Sequence, residues 1–134
     1  MKHIAILSNS AIKQVFSGKK TIETRFSQKR ISPFGTVSIG DIVYLKPPGE
    51  DIVGQFVVKK VIYIEGLEAS DWDNIKKVYG KKLSLGSLEE DDKFFKIHQN
   101  AKYATIIFIS NVEQFITSPI KFTKKDLRGW VILK

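Results

Sequence analysis

Residues 18–26 read GKKTIETRF, from Gly18 to Phe26. Thr21, Glu23 and Arg25 alternate with Ile22, Thr24 and Phe26, which is the two-residue period of a strand. The strand starts abruptly after Gly18, and a glycine there suits the residue just past a helix C-terminus. The preceding segment, NSAIKQVFSG, supplies that helix. Ser8 or Ser10 can cap it, and Ile12, Val15 and Phe16 fall on one face. A helix followed at once by a charged, alternating strand is the unit from which the rest of the fold is read.

On the N-terminal side, HIAILS is short and apolar, the pattern of a buried strand. On the C-terminal side, SQKRISPFGTVSIG is a long basic loop rich in turn formers. DIVYLK is a strand entered through Gly40-Asp41. PPGED must leave the sheet, because proline has no amide to donate to a ladder. IVGQFVVKKVIYIE is a long strand, with Gly54 marking a bulge or a close backbone approach. Ser70 is expected to cap a helix through about Tyr79, helped by Asp73 and closed by Gly80. Ser87 and Glu90 form a second capping box, opening a helix through about Gln99. YATIIFISNVEQF is another long strand, and RGWVIL is a short last one. The pattern predicts one α+β domain over residues 1–134, with five or six mostly antiparallel strands in a small barrel. It has about three helices, two of them in an insertion near 67–99.

The chain has 134 residues, enough for a core without covalent staples. It contains no cysteine, which excludes disulfides and thiolate chemistry and fits a reducing cytoplasm. No apolar run approaches the roughly 20 residues of a spanning helix, and the N-terminal apolar patch is too short for a secretory signal. We therefore expect a cytoplasmic protein with no membrane partner. Net charge is +8, and it is unevenly spread. Residues 50–98 hold ten acids and eight bases, whereas the remainder holds four acids and fourteen bases. Such a basic remainder attracts polyanions, including nucleic acid. A solvated lysine surface explains the same numbers, since most of the bases are lysine and nucleic-acid binders often favour arginine.

Gly18-Lys19-Lys20-Thr21-Ile22-Glu23-Thr24-Arg25 resembles the G-x-K-x-x-E-x-R signature of ASCH domains, members of the PUA-like superfamily. The capped helix before it and IGDIVYL (Ile39 to Leu45) after it fit the same pattern. The resemblance covers residues 1–65 and the strand around Tyr103–Ser110. It implies a small β-barrel with a cleft lined by the signature, and RNA or a modified nucleoside as partner. Some members are implied to hydrolyse the amide of N4-acetylcytidine, and others to cleave RNA. Lys20 matches the lysine of the amidohydrolase set. Glu23 stands where those members carry threonine, so the chain departs from them there. Glu65 is a possible counterpart of their glutamate.

The residues also suggest a reader by themselves. Glu23 can accept from an amino group while Arg25 donates to a carbonyl or phosphate, and a cytosine-like edge offers both. Lys20, at the helix-to-strand corner, is placed to add a donor at the cleft mouth. As a base or nucleophile it needs a pKa brought down from about 10.4. A surface ion pair worth at most about 1 kcal/mol is the plainer alternative. Lys29 and Arg30 in the loop, and Arg128 with Lys121, Lys124 and Lys125 near the C-terminus, are candidate phosphate contacts. Phe34 and Trp130 are candidate stacking platforms, although a core role suits Trp130 better. Tyr44 and Tyr103 can turn a hydroxyl into the cleft, and Trp72 reads as packing. The acidic run Glu89 to Asp92 reads as a helix first turn, or else as a phosphate mimic folded over the basic cleft. His3 and His98 have no neighbour at metal-ligand spacing, so no metal or cofactor is expected.

Overall fold

Ser8 sets the start of the first helix. Its backbone is extended (φ −62°, ψ 154°) and its Oγ accepts from the Ala11 amide at 3.1 Å, satisfying one of the free donors of the first turn. In the computed structural model, which describes residues 1–83, 93, 96–117 and 129–133, α1 runs Asn9–Phe16 and buries Ala11, Ile12 and Val15. Gly18 follows at φ 82°.

The strands are β1 (Lys2–Ile6), β2 (Ile22–Ser27), β3 (Ile42–Lys46), β4 (Gly54–Glu65), β5 (Tyr103–Gln114) and β6 (Trp130–Leu133). They form one sheet in the order β2-β5-β4-β3-β1-β6. Only the β1–β3 pairing is parallel. The sheet is curled into a half-barrel. This is the mixed, mostly antiparallel α+β barrel expected from the sequence. Gly54 begins β4 where a Cβ would lie 2.6 Å from both Glu113 O and Phe16 Cζ, so the expected close approach is real. Register shifts follow it between Gln55 and Val57 and between Val58 and Lys60.

Strand alternation sorts the core. Ile12 and Val15 of α1 cluster with Ala5, Val43, Leu45, Phe56, Ile107 and Trp130. Glu23 is paired with Ile107 and Arg25 with Thr105, which puts both signature side chains on the α1 face. Ile22 and Phe26 take the other face and pack with Trp72 and Ile75, so Trp72 is a packing residue. Tyr44 is in register with Ile4 and clusters with Ile4, Ile52 and Val131.

The second helix, α2, spans Ala69–Leu83 and corrects two expectations. Its start is set by Glu68 and Asp71, not Ser70: the Glu68 amide donates to Asp71 Oδ2 at 2.9 Å. Gly80 lies inside the helix rather than ending it. The Thr21 amide donates to Lys82 O at 2.9 Å, and this tie to the start of β2, with the packing of Trp72, Ile75 and Tyr79, offsets the ~1 kcal/mol cost of a helical glycine. Helical backbone resumes at 93 and 96–98. The Ser87–Glu90 capping box and the Glu89–Asp92 run lie outside the described residues.

Candidate functional site

β2 is an edge strand, and its signature residues sit where the curled sheet leaves a gap. Lys20 is fully buried, with its Nζ 3.8 Å from Glu23 Oε1. Glu23 Oε2 lies 3.8 Å from Arg25 Nη2. The expected three heads therefore meet around one carboxylate. The lysine, however, lies beneath it and not at the cleft mouth. Glu23 Oε1 also accepts from the Thr24 amide at 2.8 Å.

Arg25 crosses the gap. Its Nη2 donates to Ile6 O at the end of β1, and its Nη1 donates to Gly129 O just before β6, both at 3.1 Å. Gly129 makes room for it, because a Cβ there would lie 2.8 Å from Nη1. The guanidinium also lies over Trp130, 5.3 Å from the ring centroid. Trp130 is held in turn: its Nε1 donates to His3 Nδ1 at 3.2 Å. His3 is fully buried, and its Nε2 donates to Asp41 Oδ2 at 2.8 Å. The Trp130 donor fixes this tautomer, since Nδ1 must then be the acceptor. Burial pushes the Asp41 carboxyl up, but hydrogen bonds from His3, the Ser38 amide and the N-terminal ammonium outweigh it and hold the carboxyl below its ordinary value.

A cleft of about 690 Å³ opens beside this arrangement, a size typical of small-molecule sites. Ile6, Leu7, Ser8, Ser10 and Ala11 form one wall, and Lys93, Ile97 and His98 another, with Glu23, Thr24, Arg25 and Phe26 between them. Three buried polar atoms of these residues make no hydrogen bond to the described residues: Glu23 Oε2, Thr24 Oγ1 and Arg25 Nε. Buried polar atoms are nearly always paired, so this cluster is unusual among the described residues. His98 was not anticipated as a cleft residue. Burial, then the nearby Arg25 charge, holds its pKa below 6.5, and its ring packs 5.6 Å from Phe26. The contact arises only through the long return from α2 to β5, which leaves no local sequence signal.

The other candidates divide. Lys29 and Arg30 are exposed on the loop after β2. Arg30 lies 5.2 Å over the Phe34 ring and 4.0 Å from Glu65. Glu65 is thereby placed at an exposed strand end, away from the cleft lining. Phe34 packs edge-on against Tyr63 and Tyr103. Trp130 is buried. Tyr44 is buried on the opposite face of the sheet from Ala5 and Trp130 and does not line the cleft. Arg128, Lys121, Lys124 and Lys125 lie outside the described residues. Among those described, no group of His, Asp and Glu can hold a metal ion, and no helix is long and apolar enough to cross a membrane.

No protein-family model and no curated protein matches the chain. Solved structures do. An ASCH protein from Zymomonas mobilis aligns at TM-score 0.62 and 16% identity, over 84% of this chain and 69% of that one. A serine-to-alanine variant of the same protein aligns at TM-score 0.70 and 13% identity, over 99% of this chain and 88% of that one. A protein from Enterococcus faecalis aligns at TM-score 0.57 and 10% identity, over 90% of this chain and 86% of that one. The chain thus has the PUA-like fold of ASCH domains.

Proposed function

We propose that the chain is an ASCH-type domain that binds RNA or a nucleoside in the cleft built on Glu23, Thr24 and Arg25. The reading is carried by the buried polar atoms of these residues that make no hydrogen bond to the described residues, beside a cleft of nucleoside size. Glu23 Oε2 accepts from an exocyclic amino group, and Arg25 Nε donates to the neighbouring carbonyl. One hydrogen on each Nη group is already committed, to Gly129 O and to Ile6 O, which leaves Nε–H as the donor not bonded to the described residues. Lys20 supports the Glu23 carboxylate from below, 3.8 Å away, rather than touching the ligand. Lys29, Arg30 and the C-terminal basic residues, Arg128 among them, contact phosphates. A cytoplasmic setting suits this role.

Binding of single-stranded RNA should weaken linearly on a log–log salt plot, with a slope of about −0.7 per phosphate neutralised. No binding at about 50 mM salt, where such contacts are strong, would contradict the reading.

A second reading is hydrolysis of an N4-acylated cytidine or of RNA. It is favoured by the complete burial of Lys20, since desolvation is one way a lysine is readied for base or nucleophilic work. Glu23 would be its partner and Arg25 the oxyanion stabiliser. Incubation with N4-acetylcytidine and with RNA, wild type against Lys20→Ala, separates the readings. Turnover by wild type that is lost in a variant still shown to be folded by its melting curve supports the enzyme, and binding without turnover leaves the module.

A further inference from the structure

The guanidinium of Arg25 divides two cavities. Its Nη2 is bonded to Ile6, which lines the large cleft, and its Nη1 to Gly129, which lines a second pocket of about 170 Å³. Arg25 and Phe26 line both. The small pocket is too small for a nucleoside on the scale of drug-sized sites, yet it exceeds the space of a few waters. Its lining combines the aromatic residues Phe34 and Trp130 with Ser27, Ser32 and Thr105. Flat rings with a few polar groups are what a single base requires. The loop that forms its outer wall carries exposed Lys29 and Arg30, and the Arg30 guanidinium lies over the Phe34 ring. Charge suited to a phosphate therefore adjoins the aromatic surface.

We propose that this pocket is a second base subsite. The preferred ligand is then a single-stranded oligonucleotide, with one base in the large cleft and its neighbour against Phe34. Arg25 is the partition between them, and Lys29 and Arg30 flank the linking backbone. The inference rests on the nucleic-acid reading of the large cleft but goes beyond it, because it separates a strand from a free nucleoside as ligand.

The test is calorimetric titration with the four ribonucleosides and with the set of dinucleoside monophosphates, on wild type, Phe34→Leu and Phe34→Ala. Leucine keeps apolar bulk against Tyr63 and Tyr103 but removes the ring face. The best dinucleotide should bind wild type at least about fivefold more tightly than its component nucleosides, the low end of one stacked base. Phe34→Leu should bring the dinucleotide down to nucleoside affinity and leave nucleoside affinity unchanged. A melting curve on each variant checks folding. Equal affinity of nucleoside and dinucleotide for wild type would overturn the second subsite while leaving the large cleft intact. So would a Phe34→Leu protein that keeps the dinucleotide preference. Failure of every nucleoside and dinucleotide to bind would overturn both readings.

Discussion

Arg25 Nη2 donates to the carbonyl oxygen of Ile6 at 3.1 Å, joining the edge strand β2 to the end of β1 across the open side of the curled sheet. The two strands are not neighbours in the sheet. The side chain replaces a strand pairing that the barrel does not make, and the same guanidinium reaches Gly129 next to β6.

Arg25→Lys therefore acts on the fold as well as on the cleft. An ammonium cannot span both carbonyls in this fork geometry. Hydrogen bonds from a charged donor contribute about 1.5–3 kcal/mol. Urea denaturation should show a loss of about that size, and an unchanged midpoint would mean that the gap is closed by other contacts.

The Lys20–Glu23 pair is buried on both sides, so removing one member leaves the other's buried charge less compensated. Lys20→Met is expected to cost about 3–5 kcal/mol. Lys20→Met combined with Glu23→Gln should cost clearly less than the sum of the two single changes. A double-mutant cycle on denaturation midpoints measures this coupling, and strict additivity would rule it out.

Asp41 makes acid stability specific. Its carboxyl is held below the ordinary 3.8 despite burial, by His3, the Ser38 amide and the N-terminal ammonium. The stabilisation is complete above that value and disappears as the pH falls through the lower, folded pKa. Asp41→Asn should remove this part of the acid dependence and, as a neutral acceptor for His3, should weaken the support of the Trp130 ring. Denaturation followed by tryptophan fluorescence below pH 4 reads both, and identical acid limbs for the two proteins would refute the assignment.

His98 gives a second pH dependence in a different window. Its folded pKa lies below 6.5, through burial first and Arg25 second. Between the two values the unfolded chain holds more protons, so stability falls as the pH drops below 6.5. His98→Gln should flatten this part of the curve. An unaltered slope in the variant would place the titration elsewhere.

The parts of the site that are contiguous in the chain were legible before the fold was known. The alternation in residues 21–26 places Glu23 and Arg25 on one face, a cap at Ser8 or Ser10 and Gly18 bound α1, and Gly54 marks a bulge or a close approach. These follow from local sterics and hydrogen bonding. The partners of Arg25 were not legible. Ile6 O and Gly129 O are backbone atoms, identical in every residue, and are brought together only by closure of the sheet. His98 entered the cleft for a similar reason. Tyr44 was misplaced because alternation within β3 gives two faces but does not say which one meets the cleft. The extension of α2 through Gly80 is accompanied by tertiary contacts, the bond from Thr21 and the packing of Trp72 and Ile75, which no propensity records.

The most direct measurement is the Nε–Hε resonance of Arg25 in a nitrogen-15 NMR titration with ribonucleosides and short single-stranded RNA. The account predicts a saturable shift of this resonance together with the Thr24 amide, with Phe34→Leu leaving the nucleoside response in place. An Arg25 Nε–Hε signal that stays fixed while RNA binds would place the ligand on the lysine surface and contradict the cleft.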